Sequence, residues 1–141
     1  MKTISTSRAF EAAHRQYGDP GKCGYLHGHN WKVDVVLRGT PDTLIGYVVD
    51  FKDIFDIIDE FDHKTLLRYD DPLIEPLTEH NQRLVVLSVN ATCENLAGLF
   101  ANRIEAMLGT RHIHITYLKV TVHENDHSNA YDERYYSKVV K

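Results

Sequence analysis

His27 and His29, separated only by Gly28, form a His-x-His pair inside an alternating run of residues. On a strand the side-chain period of two sends both imidazoles to one face, roughly 6.5–7 Å apart. His14 ends an earlier alternating run, and an antiparallel hairpin can bring it beside them. Three neutral imidazoles with one open position are the ligand set of a catalytic zinc ion. Such an ion polarises a substrate oxygen or activates water. A bare His-x-His can equally be a pair of exposed or hydrogen-bonded histidines, so other residues must decide.

Cys23 lies four residues before His27, in a loop containing Gly18, Asp19-Pro20-Gly21 and Gly24. A loop thiol near a metal ion and basic groups such as Lys22 is favoured as a thiolate, a base or nucleophile. The alternative is an inert buried cysteine, for which a Gly-rich polar loop is a poor setting. Asp62-His63 is either an acid/base pair, the carboxylate orienting the imidazole, or an ion pair at a helix C-terminus. Glu124 ends a later strand. Glu94 falls in a first helical turn, where the helix dipole alone favours an acid. Arg15 and Lys22 are available to an anionic substrate or simply solvated. His123-Glu124-Asn125-Asp126-His127 reads as H-E-x-x-H, which needs a helix to put both histidines on one metal. Here a strand precedes it and turn residues follow, so no protease centre is expected. His112 and His114 have no third ligand in view and are expected to be structural or exposed. Cys93 is expected to be packing.

The elements that must position these groups follow from periodicity. Residues 3–14 read as a strand with Phe10, Ala12 and His14 on one face, and residues 27–38 as a second with Trp31, Val33, Val35 and Leu37 beside His27 and His29. Residues 51–61 switch to helical spacing after an N-capping Asp50. Residues 70–82, with Pro72 and Pro76, read as a long loop with at most a helical turn. Residues 92–108 form a second helix stopped by Gly109. Residues 112–124 and 130–139 return to strand, with a bulge near Tyr117-Leu118. The order ββααββ predicts an α+β domain, one four-stranded antiparallel sheet with two helices on one face. The other face must be solvated or covered by another subunit, for which Trp31 and the eight tyrosines are candidates.

The chain has 141 residues, fitting one domain over 1–141. Its formal net charge of −4 and lack of a basic stretch argue against a nucleic-acid partner. No apolar run approaches the ~20 residues that span a bilayer. No signal peptide is visible, and the expected location is the cytoplasm.

The segment Cys23-Gly24-Tyr25-Leu26-His27-Gly28-His29-Asn30 resembles the Cys-x-x-x-His-Gly-His signature of bacterial 6-carboxytetrahydropterin synthases of the queuosine pathway. These belong to the 6-pyruvoyl/6-carboxy-tetrahydropterin synthase family, whose pyruvoyl branch has a longer gap after the cysteine. Phe10-Glu11-Ala12-Ala13-His14, Gly46-Tyr47-Val48-Val49-Asp50-Phe51, Phe61-Asp62-His63 and Val122-His123-Glu124 are similar to further family segments. So is Asn90-Ala91-Thr92-Cys93-Glu94-Asn95-Leu96-Ala97, although the family often has Pro and Ser in place of Ala91 and Cys93. Asn125 likewise stands where the family often has Thr.

The resemblance implies the tunnelling fold (T-fold), with sheets joined into a barrel in trimers that usually pair as hexamers, and sites lying between chains. It implies zinc on His14, His27 and His29, a proton relay of Cys23, His63 and Asp62, and Glu124 anchoring a pterin ring. Thr92 and Glu94 are weaker candidates for the same pocket. The implied substrate is 7,8-dihydroneopterin triphosphate. The implied products are 6-carboxytetrahydropterin, acetaldehyde and triphosphate. The pyruvoyl reaction, without side-chain cleavage, and a non-catalytic pterin- or metal-binding module are the alternatives.

Overall fold

In the computed structural model, which describes residues 1–137, the two alternating runs form one long hairpin. Strands β1 (Lys2–His14) and β2 (His27–Gly39) pair antiparallel along their whole length, from Lys2 opposite Gly39 to His14 opposite His27. β1 also carries two short strands that the sequence reading assigned to no element. β3 (Lys64–Arg68) runs parallel to β1, and β4 (Leu84–Leu87) runs parallel to β3. On the other side, β5 (Ile115–His123) and β6 (Asn129–Tyr135) continue the sheet antiparallel from β2. The sheet is therefore six-stranded and mixed, in the order β4-β3-β1-β2-β5-β6. The expected four-stranded antiparallel sheet is its central and β6-side part. Runs of four and five residues such as Leu84–Leu87 and Lys64–Arg68 are too short to show a period. The end of the last expected strand, residues 138–139, lies outside the described residues.

Helix α1 (Phe51–Asp59) begins as predicted, with the Asp50 carboxylate accepting from Lys52 N. Between β3 and β4 a short helix α2 (Ile74–Glu79) admits Pro76 in its first turn, where the missing N–H costs no helical bond. Helix α3 (Cys93–Thr110) is capped by the Thr92 hydroxyl, which accepts from Asn95 N at 3.1 Å. It runs through Gly109 instead of stopping there. The left-handed position after its end is taken by His112 at φ 56°, and Ile113 N closes back on Leu108 O. The bulge on β5 falls at Thr116, skipped between the pairs Arg38–Tyr117 and Gly39–Ile115, one residue from the expected place.

The core lies between the sheet and helices α1 and α3. Phe10 stacks on Trp31 with ring centroids 5.9 Å apart, and Phe61 meets Phe100 at 4.8 Å. Truncating one of these rings to Ala would cost about 3–5 kcal/mol. Trp31 is fully buried here, so it is unavailable to a subunit interface. The opposite face carries Ser7, Glu11, Lys32 and Asp34 and the exposed Tyr131 and Tyr135. Arg15 makes a bidentate pair with buried Asp71 at 2.8 and 2.5 Å. Removing Arg15 would strand a buried carboxylate at a cost of about 3–5 kcal/mol. The guanidinium is thus committed to structure and is not a free group for an anionic substrate. No helix among the described residues is long and apolar enough to cross a membrane.

Candidate metal centre and its cleft

The β1–β2 register builds the site. His14 and His27 are direct cross-strand partners, and His29 faces Ala12 two residues further along the same face. Their ring centroids lie 4.7 Å (His14–His27), 5.1 Å (His14–His29) and 4.9 Å (His27–His29) apart. β5 pairs with β2 as far as Lys32–His123, so Glu124 reaches past the end of that ladder toward the histidines. One ligand atom from each of His14, His27, His29 and Glu124 lies within 4.8 Å of the others.

Second contacts fix the ring tautomers. His14 Nδ1 lies 2.8 Å from Ala91 O, and His27 Nδ1 lies 2.6 Å from Tyr25 O. A carbonyl can only accept, so both Nδ1 atoms carry a proton, which leaves Nε2 as the ring nitrogen available to a metal. Metal-binding histidines are commonly oriented in this way. His14 Nε2 and His29 Nε2 are buried without a hydrogen-bond partner. His29 Nε2 is 2.7 Å from Glu124 Oε1, a close approach without the alignment of a hydrogen bond. Two orphaned nitrogens, converging with a third imidazole and a carboxylate, are the donor set a metal cation satisfies. Burial holds His14 below the ordinary histidine range, with the positive fields of His27 and His29 acting in the same direction; the Ala91 carbonyl and Glu124 oppose it. Burial likewise lowers His29, against the pull of Glu124. Both are therefore kept neutral, the state that ligation requires.

Cys23 sits in a single 3-10 turn (Lys22–Gly24) and is exposed. Gln16 N donates to Cys23 O at 2.7 Å, and a Cβ on Gly24 would lie 2.3 Å from Asp19 O, so the tight turn requires glycine. Cys23 is not among the groups that converge on the cluster. His63 occupies the left-handed region at φ 55°, a conformation that costs a non-glycine residue about 1–3 kcal/mol and is concentrated at functional sites. Its Nδ1 pairs with Asp62 Oδ2 at 2.9 Å, while Asp62 Oδ1 accepts from Glu11 N at 2.8 Å. That backbone donor, followed by the His63 contact, holds the Asp62 carboxyl below its usual range.

His63 Nε2 lies 3.8 Å from the Glu11 carboxylate. Glu11 alternates with Phe10 and Ala12, which enter the core, so the His63 imidazole stands on the open face of the sheet. The histidine cluster lies on the core face. The structure thus joins Asp62 to His63 and Glu124 to the three histidines, and it does not join Cys23 to His63 within one chain. A cleft of about 620 Å³ is lined by Glu11, His29, Asn30, His63, Lys64 and Arg83 among others.

Thr92 is committed to capping α3, and Glu94 is exposed in its first turn. Cys93 is buried; burial and the Glu124 and Glu94 carboxylates push its thiol up, as fits packing. His112 and His114 are exposed, and His123 ends β5 before a turn, so no helix supports the H-E-x-x-H pattern. Sequence reasoning missed the backbone acceptors Ala91 O and Tyr25 O, which leave no side-chain signature. It read Glu124 as the anchor of a pterin ring and left open which chain supplies it; here Glu124 converges on the three histidines within one chain.

A family model described as 6-pyruvoyl tetrahydropterin synthase matches residues 3–134. A Rickettsia felis protein named 6-carboxy-5,6,7,8-tetrahydropterin synthase is 34% identical over 67% of this chain and 74% of its own length. A Rickettsia bellii protein of the same name is 36% identical over the same shares. Among solved structures, the 6-pyruvoyl tetrahydropterin synthase of Plasmodium falciparum aligns with a TM-score of 0.69 at 21% identity, covering 96% of this chain and 98% of that one. An uncharacterized Wolinella succinogenes protein aligns at 0.72 and 21%, with the same coverage. At these identities the structural likeness establishes the T-fold.

Proposed function

This chain belongs to the 6-pyruvoyl tetrahydropterin synthase family, and from that premise we propose that it is a zinc-dependent 6-carboxy-5,6,7,8-tetrahydropterin synthase. It would act on 7,8-dihydroneopterin triphosphate in queuosine and 7-deazapurine biosynthesis. The observation that carries this reading is the convergence of His14, His27 and His29, with two buried Nε2 atoms left without partners, beside a Cys23-x-x-x-His27-Gly28-His29 spacing. The names of the Rickettsia relatives support the carboxy branch.

His14, His27 and His29 would hold the zinc, with Glu124 near enough to approach it. A bound zinc ion would polarise the side-chain oxygens of the substrate and so acidify the neighbouring C–H bonds. Glu124 would accept the two adjacent N–H groups of the pterin ring in a bidentate pair, with Thr92 and Glu94 lining the same pocket. Cys23, as thiolate, would remove a side-chain proton. His63 would move protons on the side chain, its ring held by Asp62 through Nδ1. Elimination of triphosphate, followed by addition of one water across the C1′–C2′ bond of the side chain, would then give 6-carboxytetrahydropterin, whose second carboxyl oxygen comes from that water, and acetaldehyde. His63 stands on the open face, and among the described residues that face and the edges at β4 and β6 are uncovered, so we assign the working enzyme as a trimer or a pair of trimers. Its relay would then be completed between chains.

Mass spectrometry of the product from 7,8-dihydroneopterin triphosphate tests the reading. A 6-carboxy product with acetaldehyde is expected from the zinc-loaded protein and not from Cys23→Ala. A product retaining every side-chain carbon would assign the pyruvoyl reaction, and no turnover by either protein would point to a binding module.

A further inference from the structure

Asn90 uses both ends of its side-chain amide on one backbone residue. Oδ1 accepts from Tyr17 N at 3.2 Å, and Nδ2 donates to Tyr17 O at 3.1 Å. This is the paired exchange of an antiparallel ladder, made here by a side chain. The Asn90 carbonyl is in turn fixed to the start of α3, accepting from Asn95 Nδ2 and Thr92 N at 2.9 Å each. Two functional groups hang from this junction. The next carbonyl in the chain, Ala91 O, receives the Nδ1 proton of His14. Gln16, adjacent to Tyr17, holds the Cys23 turn through its backbone N–H and places its side-chain amide 3.4 Å from Ala91 O.

We propose that Asn90 is a positioning residue that locks the His14 ligand and the Cys23 turn to the same helix N-terminus, so that metal ligand and thiol keep a fixed relation. The chemistry explains the residue type. Asp lacks the donor for Tyr17 O, Ser offers a single oxygen in place of the amide's separate donor and acceptor, and Gln is a methylene too long. The proposal rests on reading the histidine cluster as a metal centre.

The test compares Asn90→Ala and Asn90→Asp with the unsubstituted protein in three measurements. These are zinc affinity by chelator competition, amide hydrogen exchange at Tyr17, and the alkylation rate of Cys23. Ile58→Val, a trimmed core position away from the junction, serves as a control for general destabilisation. Asn90→Ala is expected to weaken zinc binding by about tenfold, as for loss of a supporting contact, and to speed exchange at Tyr17 and alter alkylation of Cys23. Asn90→Asp, which keeps the acceptor and loses the donor, should show the same changes in smaller measure and carries the test if the Ala variant does not fold. Ile58→Val should lower the melting temperature and leave zinc affinity and Tyr17 exchange as they were. Zinc affinity unchanged in both Asn90 variants would overturn the proposal, as would an equal loss in Ile58→Val. An unsubstituted protein that binds no zinc would instead refute the metal centre. In that case faster Tyr17 exchange together with altered Cys23 alkylation would still support the clamp on the turn, and unchanged values would overturn it.

Discussion

Glu124 Oε1 lies 2.7 Å from His29 Nε2 and, through the same oxygen, 3.4 Å from His14 Nε2. The carboxylate therefore has two roles within reach, fourth metal ligand or anchor for a ring bearing paired N–H donors. If it anchors the ring, Glu124→Gln should keep zinc at about one ion per chain while KM for the pterin rises at least about tenfold, since loss of a charge-assisted bidentate pair costs more than about 1.4 kcal/mol. Equilibrium dialysis with zinc and steady-state kinetics separate the two roles. Zinc loss with the KM effect absent would make Glu124 a ligand.

Cys23 stands outside the converging set. Cys23→Ser should retain full zinc and lose turnover by about 100-fold or more, because an alcohol is a far poorer acid than a thiol and general acid–base help is worth about 10²–10⁴. Elemental analysis alongside the assay checks both halves. Loss of zinc in this variant would make the thiol a structural ligand.

His63 lies on the open sheet face beside Glu11, and the cluster lies on the core face. If the relay is completed across a subunit boundary, inactive Cys23→Ala mixed with inactive His63→Ala should recover part of the activity, since some mixed sites are intact. Light scattering should give a mass that is a multiple of three chains. An active monomer, or no recovery despite demonstrated subunit exchange, would place the whole relay on one chain.

The long hairpin was legible in the sequence because two twelve-residue alternating runs fix which face each residue takes, and joining them antiparallel brings His14 toward His27 and His29; the exact register, with His14 opposite His27, is set by the connecting loop. Asp50 announced the start of α1 through cap chemistry, whereas Thr92, read as the first residue of the second helix, is its cap. β3 and β4 were not legible, since they pair parallel over three or four residues and their partners are remote in sequence. The end of α3 was misplaced because His112 adopts the conformation for which glycine is the usual signal. The contact of Glu124 with His29 depends on the β2–β5 register, which the bulge at Thr116 helps set and alternation alone did not fix.

The lowered His14 and His29 give the metal-free protein a pH dependence of definite sign. The unfolded chain takes up these protons near the ordinary value of about 6.5, and the folded chain only at lower pH. Between the two the unfolded state holds more protons, so stability falls as pH drops through that window and rises again toward neutrality. Urea midpoints of the metal-free protein at pH about 7 and about 5.5 should show this decrease, and the decrease should shrink in His14→Gln. A flat profile over that range would contradict the burial of these two rings.

Elemental analysis of the purified protein and of His29→Ala bears most directly on the metal centre itself. The geometry of His14, His27 and His29 predicts about one zinc per chain in the unsubstituted protein, and loss of most of it in His29→Ala with the fold retained, because the core does not depend on the metal. Full zinc retained by a folded His29→Ala, or none bound by the unsubstituted protein after zinc reconstitution, would contradict it.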